Sequence, residues 1–263
     1  MTEMHLEGLT VQTVDGLTIL DDVRFTVPPG EIVGLVGESG SGKSMTSLAL
    51  TGLLPPSMQA ISGEARIGAE SFLHNGVRVG NTSISLVFQN ARSALNPTMR
   101  IGHQFGRLLR HLGKVEGKDA ITTETERWLA DVGIVDPAGV RRAYPHQLSG
   151  GMNQRVMIAM AMATDPELLI ADEPTTGLDV TVQAQILRLL RQVTAGSDRR
   201  VLLITHDLGV VAQMCTSVVV LYAGRVMEAG PVDQIFHAPT DAYTKELIAA
   251  GTAAMTVRAK EYR

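Results

Sequence analysis

Several features that would place this chain in a specialised class are missing from its sequence. It has a single cysteine, Cys215, so no disulfide can form within the chain. Its longest uninterrupted apolar run is the eight residues Val156–Ala163, whereas a transmembrane helix needs roughly 18 or more. The first residues lack the apolar segment of a secretory signal. We therefore expect a cytosolic protein that reaches a membrane, if it serves one, through a partner.

Excess positive charge and metal-ligand spacing are missing too. The formal net charge is −4, which argues against a surface suited to the phosphate backbone of nucleic acid. The seven histidines show no His-x-x-x-His spacing, so no zinc site is predicted. Hydrophobic residues make up 44% and charged residues 19% of the 263 residues, which is typical of a folded globular protein.

Strands alternate with helices along most of the chain. Short apolar runs predict buried strands at 31–37, 84–88, 168–171, 201–205 and 217–222. Helical composition predicts helices at 43–54, 151–163 and 181–194. This alternation predicts an α/β fold with a mostly parallel sheet covered on both faces. Residues 5–13 and 18–27 predict two earlier strands, and the polar stretch 90–147 predicts a helical insertion that includes a helix at 122–132.

A phosphate-binding loop is predicted between the strand at 31–37 and the helix that follows it. The pattern Gly-x-x-x-x-Gly-Lys-Ser is formed by Gly37, Glu38, Ser39, Gly40, Ser41, Gly42, Lys43 and Ser44, and Met45 follows it. The glycines let backbone N–H groups turn towards phosphate oxygens, and the helix dipole adds positive potential. Lys43 is expected to reach the β- and γ-phosphates, and the Ser44 hydroxyl to ligate Mg²⁺. A glycine-rich turn with a capping serine is the alternative, which the strand–loop–helix setting disfavours.

Polar side chains also follow three other predicted strands: Gln89, the pair Asp172 and Glu173, and His206. Ligands of open α/β sheets bind beyond the carboxyl ends of the strands. Asp172 suits Mg²⁺ coordination, directly or at one remove, and Glu173 suits orienting or deprotonating the attacking water. His206 can hydrogen-bond phosphate and water. Gln89 can ligate Mg²⁺ or the water, or merely cap its strand, and each of the others alone has a similar structural alternative.

Leu148-Ser149-Gly150-Gly151 completes a set that resembles the nucleotide-binding subunit of an ABC transporter. With the phosphate loop and the strand-end residues, and with Leu178-Asp179, the order and spacing match from about residue 4 to 250. Further segments resemble the peptide/nickel/opine importer branch: Phe88-Gln89-Asn90, Ser93 to Pro97, Tyr144 to Met152, Ile170 to Thr176, Phe236 to Pro239, and Tyr243-Thr244.

The resemblance implies an ABC-type P-loop NTPase: a RecA-like, mostly parallel sheet with an N-terminal antiparallel β-subdomain and an inserted helical subdomain. Residues 1–263 would form a single ABC ATPase domain. Within it, 1–89 and 148–250 would be the nucleotide-binding core with the β-subdomain, 90–147 the helical subdomain, and 251–263 a C-terminal tail. Two subunits would form a rotationally symmetric pair, with ATP between one phosphate loop and the other subunit's Ser149, Gly150 and Gly151. Asp179 would also contact the nucleotide. Without the other motifs, Ser149-Gly150-Gly151 would be interpreted as a helix N-cap with a glycine-rich first turn.

The implied function is ATP binding and hydrolysis that powers an importer of peptides, nickel, metal chelates or similar small solutes, with ATP and Mg²⁺ as cofactors. The implied partners are two membrane permeases, a second ABC ATPase subunit (identical or sister) and, indirectly, an extracytoplasmic solute-binding protein. No nucleic acid partner is expected. The location would be peripheral, at the cytoplasmic face of the inner membrane. An exporter ATPase or a soluble ABC-type ATPase is the alternative.

One position departs from the family pattern. Family members usually place an aromatic side chain in the first β-segment to stack on adenine, and spacing puts Val14 there. Valine offers only apolar contact, so we expect weak base stacking at Val14, or stacking supplied from elsewhere.

Overall fold

The computed structural model describes residues 2–261, and the side chains of residues 2–251. The chain divides into two compact units: the first comprises Met1–Ile84, Glu167–Glu173 and Thr194–Arg263, and the second Ser85–Pro166 and Pro174–Val193. The expected helical insertion, 90–147, lies wholly within the second unit. Of the expected C-terminal tail, residues 262 and 263 lie outside the described residues.

Strands and helices alternate as the sequence predicts. The strands are β1 (Met4–Thr13), β2 (Thr18–Val27), β3 (Ile32–Val36), β4 (Met58–Ile67), β5 (Glu70–His74), β6 (Val77–Arg78), β7 (Ile84–Val87), β8 (Leu168–Asp172), β9 (Arg200–Ile204), β10 (Ser217–Tyr222) and β11 (Arg225–Pro231). The helices are α1 (Lys43–Thr51), α2 (Ala91–Ala94), α3 (Ile101–His111), α4 (Lys118–Asp131), α5 (Pro137–Arg142), α6 (Gly150–Ala163), α7 (Val180–Thr194), α8 (Leu208–Met214), α9 (Val232–His237) and α10 (Ala242–Glu261).

An antiparallel sheet in the first unit has the strand order β2-β1-β4-β5-β6. β1 and β2 form a hairpin in which Met4 lies opposite Val27 and Gln12 opposite Thr18. The turn between them includes Gly16, whose φ of 85° favours glycine. The two strands predicted before the phosphate loop are thus confirmed, and they form an antiparallel β-subdomain.

A second sheet in the same unit has β11, β10, β3, β9 and β8 as successive neighbours. β10, β3, β9 and β8 run parallel, and β11 is antiparallel to β10. Every residue of β3, β8 and β9 is buried, which explains why these strands read as continuous apolar runs. Because parallel strands share one carboxyl edge, the residues that follow β3, β8 and β9 emerge at the same edge.

The second unit contains mainly helices. In α3, Ile101, Phe105 and Leu109 are fully buried at a spacing of four residues, so one helix face provides core packing. α6 begins at Gly150 after Ser149, and its burial extends around most of its surface. Within the described residues, no helix combines the length and the hydropathy needed to cross a membrane.

Two predicted helix boundaries were wrong by about one turn. α1 ends at Thr51 rather than at residue 54, because Gly52 adopts φ 72° and its N–H bonds back to carbonyls of Leu48 and Ala49. This left-handed glycine closes the helix ahead of the two prolines. The helix predicted at 122–132 begins earlier, at Lys118, directly after Gly117.

Candidate functional site

The loop between β3 and α1 follows the conformation that its glycine pattern predicts. Gly37, Gly40 and Gly42 have φ values of 150°, 83° and 109°. A Cβ on Gly37 would lie 2.0 Å from the carbonyl oxygen of Leu221, and one on Gly42 would lie 2.5 Å from Leu20 Cδ2. Glycine is therefore required at both positions by the close approach of β10 and β2, as well as by the backbone conformation.

Lys43, the first residue of α1, folds back onto this loop. Its Nζ donates to the carbonyl oxygens of Gly37 at 2.9 Å and Glu38 at 2.8 Å, and lies 3.4 Å from Ser41 Oγ. Burial lowers the pKa of Lys43, while the negative charges of Glu173 and Asp172 act in the opposite direction. A buried ammonium group therefore lies in the curl of the loop, close to two carboxylates.

Asp172 ends β8 and is buried next to α1. Its Oδ2 accepts a hydrogen bond from Ser47 Oγ at 3.4 Å, and its buried Oδ1 has no hydrogen-bond partner among the described residues. Burial raises the pKa of Asp172, and hydrogen bonding from Ser44 is the largest opposing effect. A buried carboxylate oxygen without a donor, beside a serine hydroxyl, fits a hard divalent cation. Ser44 and Asp172 are thus the residues of this unit that could hold Mg²⁺.

Glu173 turns its side chain back towards the next strand end. Its φ is +45°, an uncommon value for a residue with a side chain, and its N–H donates to the carbonyl of Ile204 at 2.9 Å. Glu173 Oε1 lies 3.0 Å from Nδ1 of His206. The Glu173 side chain is 17% exposed and that of His206 is 64% exposed. The backbone conformation therefore aims a mostly buried carboxylate at a histidine that solvent and ligands can reach.

The first unit thus brings together several of the predicted residues: Lys43, Ser44, Asp172, Glu173 and His206. Val14 lies in the turn after β1, with 62% of its surface exposed, and its N–H donates to Ser57 O at 3.0 Å. It can accept an apolar contact but offers no ring.

The remaining predicted residues belong to the second unit. Gln89 is exposed and follows β7. Ser149 is the N-cap of α6: its Oγ accepts the N–H of Met152 at 3.2 Å. Asp179 does the same for α7, since its Oδ1 accepts the N–H of Val182 at 3.0 Å. The helix-cap reading of Ser149 is therefore part of what this side chain does.

The two glycines after Ser149 differ in their surroundings. Gly150 is exposed, whereas Gly151 is buried. A Cβ on Gly151 would lie 2.5 Å from Cγ1 of Val182, so α6 and α7 pack here at a distance that only glycine permits. Gly150 is therefore accessible at the start of α6, while Gly151 has a packing role in its own unit.

Sequence reasoning missed two contributors to the first-unit site. Ser47, one turn along α1, contacts Asp172, and its spacing from Lys43 on the helix could have indicated this. Tyr243 contacts the phosphate loop from the other end of the chain: its hydroxyl lies 3.2 Å from the Glu38 N–H. In the sequence, Tyr243-Thr244 carries only a resemblance to the importer branch, and nothing in the residue pattern links it to Glu38.

Comparison with known proteins identifies the family. The sequence model of the family described as "ABC transporter" matches residues 20–176. The dipeptide transport ATP-binding protein DppD of Bacillus subtilis is 46% identical over 92% of this chain and 71% of that protein. The chain belongs to the ABC transporter family. The oligopeptide transport ATP-binding protein OppD of Salmonella typhimurium is 45% identical to this ABC ATPase, over 95% of the chain and 76% of that protein.

A solved structure supports the same fold. CbiO1 from Clostridium perfringens, described as part of the ABC transporter complex cbiONQ, superposes with a TM-score of 0.71 at 25% identity, over 89% of this chain and 90% of that one. The predicted ABC-type α/β fold is confirmed, and so is the prediction of an ATP-hydrolysing subunit of an importer. The relatives favour that prediction over the exporter and soluble-ATPase alternatives.

Proposed function

We propose that this ABC ATPase powers the uptake of short peptides. The observation that carries the proposal is its 42–46% identity, over most of its length, to proteins named for dipeptide and oligopeptide transport in several bacteria. Peptides are placed ahead of nickel, metal chelates and other small solutes for that reason.

The first-unit site supplies the chemistry in this proposal. Lys43 leaves the carbonyls of Gly37 and Glu38 and bonds the β- and γ-phosphates when ATP enters the loop, where Met45 and the loop amides complete the phosphate cradle. Ser44 and Asp172 would hold Mg²⁺, a role that the sequence pattern predicts for Gln89 as well, and the bound ion would neutralise charge that develops on the phosphates. The contacts of Lys43 within the loop and the unpartnered Oδ1 of Asp172 support these assignments.

Hydrolysis depends on the carboxylate of Glu173. It orients or deprotonates the attacking water, and the 3.0 Å contact with His206 supports a shared role in which the imidazole holds the carboxylate and reaches the γ-phosphate. The positive φ of Glu173 fixes the direction of its side chain before ATP arrives. Most of the rate enhancement would therefore come from positioning and charge neutralisation.

A second ATPase subunit, identical or sister, completes each site. Its Ser149, Gly150 and Gly151 would face the γ-phosphate held by this chain's loop, with Asp179 near the same interface. Ser149 and Gly150 are exposed at the start of α6, which supports this arrangement because the N–H groups and the dipole of a helix start favour an anion.

The remaining partners are two membrane permeases and, indirectly, an extracytoplasmic solute-binding protein. The chain would lie peripherally at the cytoplasmic face of the inner membrane. Residues 90–147 would form the helical subdomain that transmits movement to a permease, and 1–89 with 148–250 the nucleotide-binding core. Residues 251–263 would be the tail of the same single domain.

Uptake in cells tests the cargo. A strain that carries Glu173→Gln in place of the wild-type chain should fail to take up radiolabelled di- and tripeptides, and ⁶³Ni²⁺ uptake should not change. Glu116→Gln is the matched control, because it removes the charge of an exposed carboxylate that has no part in the proposed site. Loss of nickel uptake with peptide uptake intact would show that the cargo is wrong while the ATPase assignment stands.

A further inference from the structure

A side chain from the C-terminal helix touches the phosphate loop. Tyr243, in the first turn of α10, accepts a hydrogen bond at its hydroxyl oxygen from the backbone N–H of Glu38 at 3.2 Å. Glu38 is the second residue of the loop. The Gly37–Glu38 peptide is therefore held from both sides, because its carbonyl oxygen, on Gly37, accepts from Lys43 Nζ at 2.9 Å.

The ring of Tyr243 is fixed by the strand that also shapes the loop. It packs on the ring of Tyr222, the last residue of β10, with 4.2 Å between centroids and 34° between planes. The preceding residue, Leu221, supplies the carbonyl that excludes any Cβ at Gly37. The end of β10 thus positions both partners of the hydrogen bond.

The start of α10 is anchored independently of that contact. The Glu228 carboxylate on β11 accepts hydrogen bonds from the N–H of Thr240 at 2.9 Å, from its hydroxyl at 2.8 Å, and from the Asp241 N–H at 3.1 Å. Thr244 is fully buried, and Ile248 packs in the same core cluster as Val36, the last residue of β3. Tyr243 is therefore presented to the loop by a rigid helix.

We propose that Tyr243 is a positioning residue that keeps the Gly37–Glu38 peptide in its orientation when Lys43 moves onto the phosphates of ATP. Lys43 and Tyr243 both hydrogen-bond the Gly37–Glu38 peptide in this structure. When the ammonium group of Lys43 binds the phosphates, the hydrogen bond to Tyr243 can remain. The inference rests on the role given to Lys43 under the proposed function. Tyr243 would thereby preorganise the loop for nucleotide, with no direct part in hydrolysis.

Removal of one hydroxyl tests this role. Tyr243→Phe keeps the ring on Tyr222 and removes the acceptor for the Glu38 N–H. The loss of one hydrogen bond should raise both the Kd and the KM for Mg·ATP by about two- to tenfold, with kcat and the melting temperature unchanged. Tyr222→Phe is the matched control: the Tyr222 hydroxyl makes no hydrogen bond among the described residues, so its removal should leave all four quantities unchanged.

The outcomes separate cleanly. An unchanged Kd and KM in Tyr243→Phe overturns the inference, as does a fall in kcat alone. A lower melting temperature together with a higher Kd and a lower kcat would also overturn it, because Tyr243 would then serve only to anchor α10. Lys43→Ala, measured alongside, should abolish tight ATP binding. If Lys43→Ala binds ATP like the wild type, the proposed role of the loop fails, whereas wild-type behaviour of Tyr243→Phe with a defective Lys43→Ala rejects only the role of Tyr243.

Discussion

The phosphate loop in the first unit and the segment Leu148–Gly151 in the second, here called the signature segment, use their polar side chains in opposite ways. Around the loop, the side chains act on one another: the negative charges of Glu173 and Asp172 oppose the lowering of the Lys43 pKa by burial, and Glu173 contacts His206. In the signature segment, the Ser149 hydroxyl accepts a hydrogen bond from the start of its own helix. The first region thus assembles a cluster of interacting charged side chains within one chain, while the second presents an exposed helix start.

The largest effect is expected at the assembled site. Glu173→Gln keeps the shape of the side chain but removes its charge, so kcat for ATP hydrolysis should fall by about 10²-fold or more while ATP binding is retained. Because hydrolysis would reopen the paired subunits, the variant should also accumulate as an ATP-dependent dimer. Phosphate release and gel filtration with and without Mg·ATP measure the two effects. Wild-type turnover in this variant would remove Glu173 from the chemistry.

The next prediction tests whether the signature segment contacts ATP that is bound to a second subunit. Ser149→Ala and Asp136→Ala both remove an N-cap within the second unit, since Asp136 Oδ1 accepts the Gly139 N–H at 2.8 Å in the same way. Each should lower the free energy of unfolding by about 1 kcal/mol. Only Ser149→Ala should also reduce ATP hydrolysis, by about tenfold, because it would lose a contact with ATP across the dimer.

The Ser149 effect should also appear in trans. In a mixture, a Ser149→Ala subunit should impair the site whose phosphate loop lies on the other chain, and leave the site with its own loop active. Equal hydrolysis by the Ser149→Ala and Asp136→Ala variants would mean that Ser149 is only a helix cap.

A third prediction tests whether Gly151 of the signature segment serves to pack α6 against α7. Gly151→Ala places a methyl group 2.5 Å from Val182 Cγ1, so it should lower the free energy of unfolding by about 1–3 kcal/mol. The double variant Gly151→Ala with Val182→Ala makes room for that methyl group and should regain most of the loss. Chemical denaturation measures the stability of the single and the double variant. ATP hydrolysis should also recover in the double variant, because the added Cβ points at α7. A double variant as unstable as the single one would contradict the packing role.

The sequence predicted these regions unequally, for physical reasons. The segment from β3 through the loop to α1 was predictable because its apolar strand, its glycines and Lys43 are contiguous in the sequence. Local sequence patterns are therefore enough to predict its structure. The end of α1 was missed because Gly52 closes the helix before the prolines. The Tyr243–Glu38 contact joins residues 205 positions apart and depends on how α10 packs, and no local pattern encodes that. The roles of Gln89, Ser149 and Asp179 towards ATP stay predictions, because each depends on a bound ligand or a second subunit.

The smallest effect concerns the adenine, which neither region is equipped to stack. Val14 is exposed on the turn after β1, so an aromatic ring there can be accommodated without repacking a core. Val14→Tyr should tighten ATP binding by about two- to tenfold, which corresponds to the roughly 0.5–1.5 kcal/mol of an aromatic stacking contact. Val14→Leu is the control, since it adds apolar volume without a ring and should change affinity little. Inorganic triphosphate, which has no base, should bind all three proteins equally. If Val14→Tyr binds ATP and triphosphate with wild-type affinity, adenine does not reach this turn, and the base must lie elsewhere.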